Sequence, residues 1–238
     1  MRLHQVAIPI IENKMDEALR MMDYASKVVN IVELRIDYMC RPNLAKLLGH
    51  SKISKIVTNR HPKEGGRFEG SESRRIALLQ EAIDLGADYV DIENNFFKPL
   101  KRENHNTGFI ISHHDFKSSP TPERLERIYN SINKKIKPYM LAHENELATF
   151  KPDVAKISMK ANIYRDNFLM LDFMRNHTGM IGICIGEEGK PSRVLGPIYG
   201  GFLTYAALNE FKISTKGQPT VKELKRAWDA MGYQVYRK

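Results

Sequence analysis

Short apolar runs rich in β-branched residues alternate along the chain with longer stretches whose apolar residues recur at helical spacing. The short runs predict eight strands, at residues 4–10, 31–37, 54–60, 89–93, 109–115, 154–158, 180–186 and 202–206. The longer stretches predict helices near residues 14–28, 43–48, 71–85, 122–135, 162–176 and 220–231. The connections after residues 93 and 186 show no clear pattern. This alternation favours an α/β fold with a parallel sheet closed into a (β/α)8 TIM barrel, and an open doubly wound sheet is the alternative.

Local signals support three of the predicted helix boundaries. Thr121 precedes Pro122, which places a capping side chain before a proline in the first turn. The run from Thr220 to Glu223 is a capping box. Gly86 is a suitable helix end before the fourth predicted strand.

Polar residues share one face of several predicted strands, because successive side chains of a strand point to opposite sides. This polar set comprises Glu33, Arg35, Asp37, Thr58, Arg60, Asp91 and Glu93. If helices cover the apolar faces, the polar side chains point into the barrel near the carboxyl ends of the strands, where barrel enzymes carry their chemistry. A strand with one solvated face is the other interpretation, and the helix-sized connections argue against it.

The composition is typical of a globular protein with one buried core. The chain has 238 residues, of which 42% are hydrophobic and 27% are charged, so we expect a single catalytic domain over residues 1–238. Apolar runs such as 180–185 are too short to cross a bilayer, and no signal peptide precedes the first strand. We therefore expect a cytoplasmic protein with no membrane partner. Cys40 and Cys184 lack metal-type spacing and are expected to be free thiols.

The net charge of +9 has two interpretations. It is compatible with a nucleic-acid partner, or with a basic surface and a site for an anionic substrate. The lysines and arginines are spread along the chain and form no basic tail, which favours the second interpretation.

Lys156 lies in the middle of the sixth predicted strand, between Ala155 and Ile157. A lysine inside a barrel is costly unless it is paired or neutral, and a neutral amine can attack a ketone to form an imine. A structural salt bridge, or a position at the exposed end of the strand, is the competing interpretation.

Two adjacent histidines end the fifth predicted strand. His114 shares a face with Ser112, whereas His113 takes the opposite face. A histidine can take and return a proton near neutral pH, so His114 is a candidate general base and acid. Because the two rings point apart, they do not easily chelate one metal ion, and no other ligand set has a familiar spacing. A purely structural histidine is the other possibility.

Loops after the strands add further polar groups. Glu64 follows the third strand, where it could orient and polarise a histidine. Ser192, Arg193 and Gln218 fall in predicted loops that flank the last strand. A guanidinium can hold a carboxylate with two hydrogen bonds, and Gln218 could donate to the same group. Each loop taken alone is equally typical of a solvated surface.

In their order along the chain, these segments resemble type I 3-dehydroquinate dehydratase, the Schiff-base class of the shikimate pathway. The matching segments are residues 33–37, 58–60, 64–66, 91–93, 112–116, 155–157, 192–193 and 214–218. No single segment is specific, but the ordered set spans nearly the whole chain. The resemblance implies a hydro-lyase that converts 3-dehydroquinate to 3-dehydroshikimate in aromatic amino acid biosynthesis, with no metal or organic cofactor. It also suggests a homodimer, formed through the last helix around Trp228 unless Trp228 is a core residue.

The resemblance also implies roles for individual residues. Lys156 forms the imine with the substrate ketone, His114 is the general base and acid, and Glu64 pairs with His114. The implied substrate contacts are Glu33, Arg35 and Arg60 for the hydroxyls, Arg193, Ser214 and Gln218 for the carboxylate, and Tyr205 as an aromatic wall of the pocket.

The chain departs from the family pattern in three places. Segment 136–151 is longer and more polar than in the family, and segment 186–191 also reads differently. After the strand lysine, Ser158 and Lys160 stand where a more apolar run is expected. We expect Lys160 to lie beyond the strand in solvent.

Two other functions are compatible with parts of the pattern. Another Schiff-base lyase of the class I aldolase type would use the same lysine, with Gly200 and Gly201 as a phosphate-binding loop. An RNA-binding barrel would exploit the positive charge. Arg193 and Gln218 favour a carboxylate ligand over a sugar phosphate.

Overall fold

The computed structural model describes residues 3–102, 106–141 and 151–233. One parallel sheet contains the strands β1 (Leu3–Ile10), β2 (Val29–Arg35), β3 (Ser54–Thr58), β4 (Tyr89–Glu93), β5 (Gly108–Asp115), β6 (Val154–Lys160), β7 (Ile181–Ile185) and β8 (Thr204–Tyr205). The strands lie in the order β7-β6-β5-β4-β3-β2-β1-β8. The N–H of Phe202 donates to the carbonyl of Met180 at 2.8 Å, which links the segments that lead into β8 and β7. The result is the nearly closed (β/α)8 barrel that the alternation predicts.

Seven α-helices occur among the described residues. They are α1 (Met15–Ala25), α2 (Leu44–Gly49), α3 (Glu72–Asp84), α4 (Pro122–Leu141), α5 (Asp166–Asn176), α6 (Lys190–Leu195) and α7 (Val221–Ala230). The connection from β4 to β5 contains the 3-10 turn Asn94–Phe96 and, in its described part, no α-helix. The capping box is present, because Thr220 Oγ1 accepts from the N–H of Glu223, whose carboxylate accepts from the N–H of Thr220.

Two predictions about local structure are wrong. Ser192 and Arg193 lie in helix α6 and not in a loop, because the run Gly189, Lys190, Pro191 and Ser192 has the composition of a turn. Lys160 is the last residue of β6 and does not lie beyond it, although its side chain is exposed as expected. The first difference adds a helix and the second moves the end of a strand, and neither changes the order of strands.

Trp228 is a core residue and not a surface residue of the last helix. Its side chain is fully buried, and its indole N–H donates to the carbonyl of Val194 at 2.8 Å. The polar segment 136–151 begins inside α4, and its residues 142–150 lie outside the described ranges. Among the described residues, no helix is long and apolar enough to cross a membrane.

Two apolar layers hold the barrel together and confirm the predicted direction of the side chains. The outer layer lies between strands and helices and includes Val32, Leu34, Val57, Val90, Ile92, Ile111 and Ile157. The inner layer fills part of the barrel interior and includes Ala7, Ile56, Tyr89, Ile110, Val154 and Ile181. Full burial of each large apolar side chain contributes roughly 1.5–3 kcal/mol. Towards the carboxyl ends of β2 to β6, the inward positions are polar instead.

Candidate active site

A cavity of about 320 Å³ opens at the carboxyl ends of the strands. All ten residues that the sequence singles out line it, namely Lys156, His114, Glu64, Glu33, Arg35, Arg60, Arg193, Ser214, Gln218 and Tyr205. The cavity has further lining residues that the sequence does not single out, which include Phe116, Ser158, Ile183, Ile185, Thr215 and Lys216. Ile183 and Ile185 lie on a strand that is apolar on both faces, so its alternation does not show which side points inward.

Lys156 is buried inside the barrel and paired with acidic groups. Its Nζ donates to Oδ2 of Asp91 at 2.9 Å and to the hydroxyl of Tyr205 at 3.2 Å. The same nitrogen lies 3.8 Å from Oε1 of Glu33 and 4.4 Å from the centre of the Tyr205 ring. The alternative of an exposed lysine at the end of the strand is therefore wrong. The amine lies against the wall of a cavity that is large enough for a small molecule.

Asp91 organises the charged groups around the lysine. It accepts hydrogen bonds from Lys156, from Nη2 of Arg60 at 2.9 Å and from Oγ of Ser112 at 2.6 Å. Burial alone would raise the pKa of Asp91, but the Arg60 guanidinium and the Lys156 ammonium outweigh it and hold the pKa well below its usual range. Asp91 is therefore an anion at any working pH. It was placed on the polar face by strand parity but was not singled out as a site residue.

His114 and Glu64 form a second pair in the cavity. The His114 Nδ1 lies 3.0 Å from Oε2 of Glu64, which also accepts the backbone N–H of His114 at 2.9 Å. Asn95 donates to the other carboxylate oxygen at 3.0 Å. With Nδ1–H donating to the carboxylate, Nε2 of His114 is left as the proton acceptor.

The surroundings of this pair shift the pKa of both groups. Burial, with the positive charges of Arg60 and Lys156, holds the pKa of His114 well below its usual value, so the ring is a neutral base. Burial raises the pKa of Glu64 to about 7, although Arg60 opposes the shift. Glu64 therefore changes its protonation state in the pH range in which a histidine base operates.

His113 points away from the cavity, as strand parity requires. It lies outside the cavity lining, and its Nδ1 is 3.3 Å from Nδ2 of Asn95. Burial lowers the pKa of His113. Within the described ranges, no group of three or more His, Cys, Asp or Glu side chains is arranged to hold a metal ion.

Arg193 and Gln218 present buried donors that have no partner among the described residues. Nε of Arg193 and Nε2 of Gln218 make no hydrogen bond, and both residues are 3% exposed. The N–H and the hydroxyl of Ser214 both donate to Oε1 of Gln218 at 2.9 Å, which sets the orientation of the amide group. Burial lowers the pKa of Arg193 to about 10, so it remains a cation at neutral pH. A buried cation without an anion is costly, so this part of the cavity is suited to a carboxylate.

Glu33 and Arg35 are both held in place by neighbours. Oε1 of Glu33 accepts from the hydroxyl of Thr58 at 2.8 Å. Arg35 donates from Nε and Nη2 to the two oxygens of Asp37, at 2.9 and 2.8 Å. Charged groups fixed in this way bind polar ligands with little loss of conformational entropy.

The comparisons with known proteins agree with one another. The family model described as Type I 3-dehydroquinase matches residues 6–234. A 3-dehydroquinate dehydratase of Methanococcus maripaludis is 34% identical over 227 residues, which are 92% of this chain and 96% of that protein. A 3-dehydroquinate dehydratase of Methanocaldococcus jannaschii is 30% identical over 233 residues, which are 95% of this chain and 98% of that protein.

Solved structures show the same fold. The 3-dehydroquinate dehydratase of Aquifex aeolicus superimposes with a TM-score of 0.69 at 25% identity, covering 94% of this chain and 97% of that one. The type I 3-dehydroquinate dehydratase of Clostridium difficile, solved with covalently modified comenic acid, has a TM-score of 0.73 at 20% identity and covers 97% of this chain and 93% of that one.

Proposed function

The chain belongs to the type I 3-dehydroquinase family, and from this premise we propose that it dehydrates 3-dehydroquinate to 3-dehydroshikimate through an imine on Lys156. The observation that carries the proposal is the content of one cavity. A buried lysine, a histidine–carboxylate pair and two donors that no described residue satisfies all line it. Such an enzyme is a carbon–oxygen lyase of aromatic amino acid biosynthesis.

The proposed reaction uses Lys156 as the electron sink. The ammonium of Lys156 first gives up a proton, and the resulting amine attacks the substrate ketone. A proton then leaves with the former carbonyl oxygen as water, so that an iminium remains. The iminium acidifies the adjacent C–H, and Nε2 of His114 removes this proton to give an enamine. The enamine expels the hydroxyl β to the original carbonyl carbon, and protonated His114 supplies the proton with which it leaves as water. Hydrolysis then frees the product and Lys156, so the chemistry needs no metal and no organic cofactor.

The remaining lining residues orient the substrate in this proposal. Arg193, Gln218 and Ser214 hold the carboxylate, because two of them carry buried donors that no described residue satisfies. The hydroxyls are held by Glu33, Arg35 and Arg60, and Tyr205 forms the wall beside the lysine.

Two measurements on the purified protein test the function. Addition of 3-dehydroquinate should produce the absorbance of a conjugated enone. Sodium borohydride should add mass to the peptide that contains Lys156 only when the substrate is present. A folded protein that shows neither the absorbance change nor the adduct would refute the proposal.

The pH dependence of kcat/KM is predicted from the ionisation of Glu64. Its carboxyl group accepts Nδ1–H of His114 most strongly when it is ionised, and its pKa is about 7. As the pH falls below about 7, the carboxyl group becomes protonated, so kcat/KM should fall. In Glu64→Gln this acidic limb should disappear and kcat should drop by about tenfold or more.

The matched control for this prediction is Glu69→Gln, which neutralises an exposed carboxylate on the same loop. Its pH profile should match that of the wild-type protein. An unchanged acidic limb in Glu64→Gln would show that another group governs the profile.

Substitution of Arg193 is predicted to weaken substrate binding. A charge-assisted hydrogen bond contributes about 1.5–3 kcal/mol, so Arg193→Met should raise KM by roughly 10–100-fold. Arg175→Met, which removes an exposed arginine from α5, is the control and should leave KM unchanged. An Arg193→Met protein with normal folding and an unchanged KM would contradict the carboxylate site.

The position of Gly200 and Gly201 argues against the aldolase-type alternative. The carbonyl of Gly200 accepts from the N–H of Gly179, before the start of β7, and neither glycine lines the cavity. These glycines therefore lie at the amino ends of the strands, away from the lysine. The RNA-binding alternative has no specific observation in its favour.

Location, oligomeric state and partners are further proposals. We propose that the protein acts in the cytoplasm as a homodimer, on a small-molecule substrate and without a nucleic-acid or membrane partner. Because Trp228 is buried, its ring does not supply the dimer contact. Light scattering coupled to gel filtration would measure the mass in solution.

A further inference from the structure

A line of buried charges of alternating sign runs from the lysine in the cavity to helix α3. Lys156 pairs with Asp91 at 2.9 Å, and Asp91 pairs with Nη2 of Arg60 at 2.9 Å. Nη1 of Arg60 then lies 2.9 Å from Oε1 of Glu93, and Oε2 of Glu93 lies 2.6 Å from Nη1 of Arg75. Arg75 belongs to α3, outside the barrel, and does not line the cavity.

Arg75 is built into this position by several contacts. Its side chain is fully buried, and it donates to both oxygens of Glu72 at 2.8 and 2.9 Å. Nη1 also donates to the carbonyl of Asn59 at 2.9 Å, just after the end of β3. The chain thus places a second buried arginine on the side of Glu93 that faces away from Arg60.

The charges explain why this second arginine matters to the cavity. Glu93 is fully buried, and its two oxygens are divided between Arg60 and Arg75. Without Arg75, one oxygen of a buried carboxylate would lack a cation, which is strongly unfavourable. Arg60 can relieve this by turning to both oxygens of Glu93, and its Nη2 would then leave Asp91. Asp91 would be left with Lys156 as its only cationic partner in the network.

We propose that Arg75 is a positioning residue for the dehydration, which holds Glu93 so that Arg60 remains on Asp91 beside Lys156. The proposal rests on the proposed function, because it assigns the effect to the imine-forming lysine and to the arginine that contacts the substrate. Arg75 acts through Glu93 and touches neither the cavity nor the reacting atoms. A purely structural ion pair would stabilise the fold without changing the chemistry of the site.

The position of Arg60 also affects the second pair in the cavity. The groups that face Glu64 are Arg60 from the end of β3, Glu93 from β4, the backbone N–H and the imidazole of His114 from β5, and Asn95. Arg60 lowers the pKa of Glu64, and Glu93 raises it. Loss of Arg75 leaves the negative charge of Glu93 less compensated, which should raise the pKa of Glu64. The acidic limb of kcat/KM should therefore move to higher pH.

The test compares four proteins with the wild-type protein. Arg75→Met removes the cation and keeps a long apolar side chain, and Arg74→Met removes the neighbouring exposed arginine of the same helix as a control. Glu93→Gln and the double variant Arg75→Met/Glu93→Gln complete a mutant cycle, because a neutral amide at position 93 no longer needs a second cation. Each protein is examined by circular dichroism, thermal unfolding, kcat, KM and the pH profile of kcat/KM.

We expect kcat of Arg75→Met to fall by about tenfold or more with a smaller change in KM, because the carboxylate contacts of Arg193 are untouched. Its acidic limb should move to higher pH, and Arg74→Met should behave like the wild-type protein. In the Glu93→Gln background, Arg75→Met should change kcat by less than about twofold. If Arg75→Met alone does not fold, the comparison of Glu93→Gln with the double variant still tests the proposal, because the double variant contains no unpaired buried carboxylate.

Either of two results would overturn the proposal. One is a folded Arg75→Met protein with the kcat and pH profile of Arg74→Met. The other is a loss of kcat from Arg75→Met that is equally large in the Glu93→Gln background, which would indicate a structural role independent of Glu93. If the wild-type protein itself neither turns over 3-dehydroquinate nor forms the Lys156 adduct, the proposed function fails and this inference fails with it.

Discussion

Replacement of Lys156 by alanine should abolish turnover of 3-dehydroquinate and, with it, substrate-dependent trapping by borohydride. The imine nitrogen comes from this side chain, and no other described lysine amine lies beside Asp91 and Tyr205. Without the iminium, the proton next to the ketone keeps its ordinary low acidity, and the later elimination has no enamine to start from. We expect a loss in kcat of at least about a thousandfold, measured from the absorbance of the product.

Lys160→Ala is the matched control for this experiment. It removes a lysine from the same strand, but Lys160 is exposed at the end of β6. The control should keep both turnover and trapping. Lys156→Ala should still fold, since Asp91 retains Arg60 and Ser112 as partners. Substantial turnover by a folded Lys156→Ala protein would rule out the imine mechanism.

The second large effect is expected for His114→Ala, which should still form the imine but should fail at the elimination. The lysine does not need the imidazole to condense with the ketone, so borohydride should still trap an adduct. Because the C–H proton is no longer removed, the trapped species should carry the mass of the reduced substrate adduct. The wild-type protein should also give an adduct lighter by one water. We expect kcat to fall by about 100–10,000-fold, the usual contribution of a general acid–base group.

His113→Ala tests whether the effect belongs to the correct histidine. His113 lies on the opposite face of β5, so its removal should leave kcat within about threefold of the wild-type value. Normal turnover by His114→Ala would show that another group moves the proton. If kcat of His113→Ala fell by a comparable factor, the loss would come from a disturbance of β5 or Asn95 and not from removal of the imidazole in the cavity.

The fold was largely predictable because the alternation of short apolar runs and helical stretches is a local signal. Strand β4 matches its predicted bounds, and β5 begins one residue before its predicted start. The predictions failed where residues typical of turns and loops lie inside a helix or strand. Helix α6 begins with Lys190, Pro191 and Ser192, and the end of β6 continues through polar residues that resemble a loop.

The candidate site was predictable to the extent that strand parity and chain order indicate it. Glu33, His114 and Lys156 fall on inward positions of β2, β5 and β6, and Arg60 follows the end of β3, so a closed barrel brings them to the same cavity. Their proposed roles stay predictions until the variants are measured. Parity also placed Asp91 and Glu93 inward but could not distinguish them from ordinary buried polar residues.

By itself, the sequence determined the order of strands and helices, the direction of the side chains along each strand, and the set of residues that resembles one family. All of these depend on neighbours within a few residues, or on order along the chain. Only the tertiary structure decided which charges meet. Arg75 and Lys156 are far apart in the chain. Glu93, Arg60 and Asp91 connect them only because β3, β4, β6 and helix α3 pack together in one barrel. Electrostatic interactions depend on distance and burial, and neither quantity can be read from sequence order.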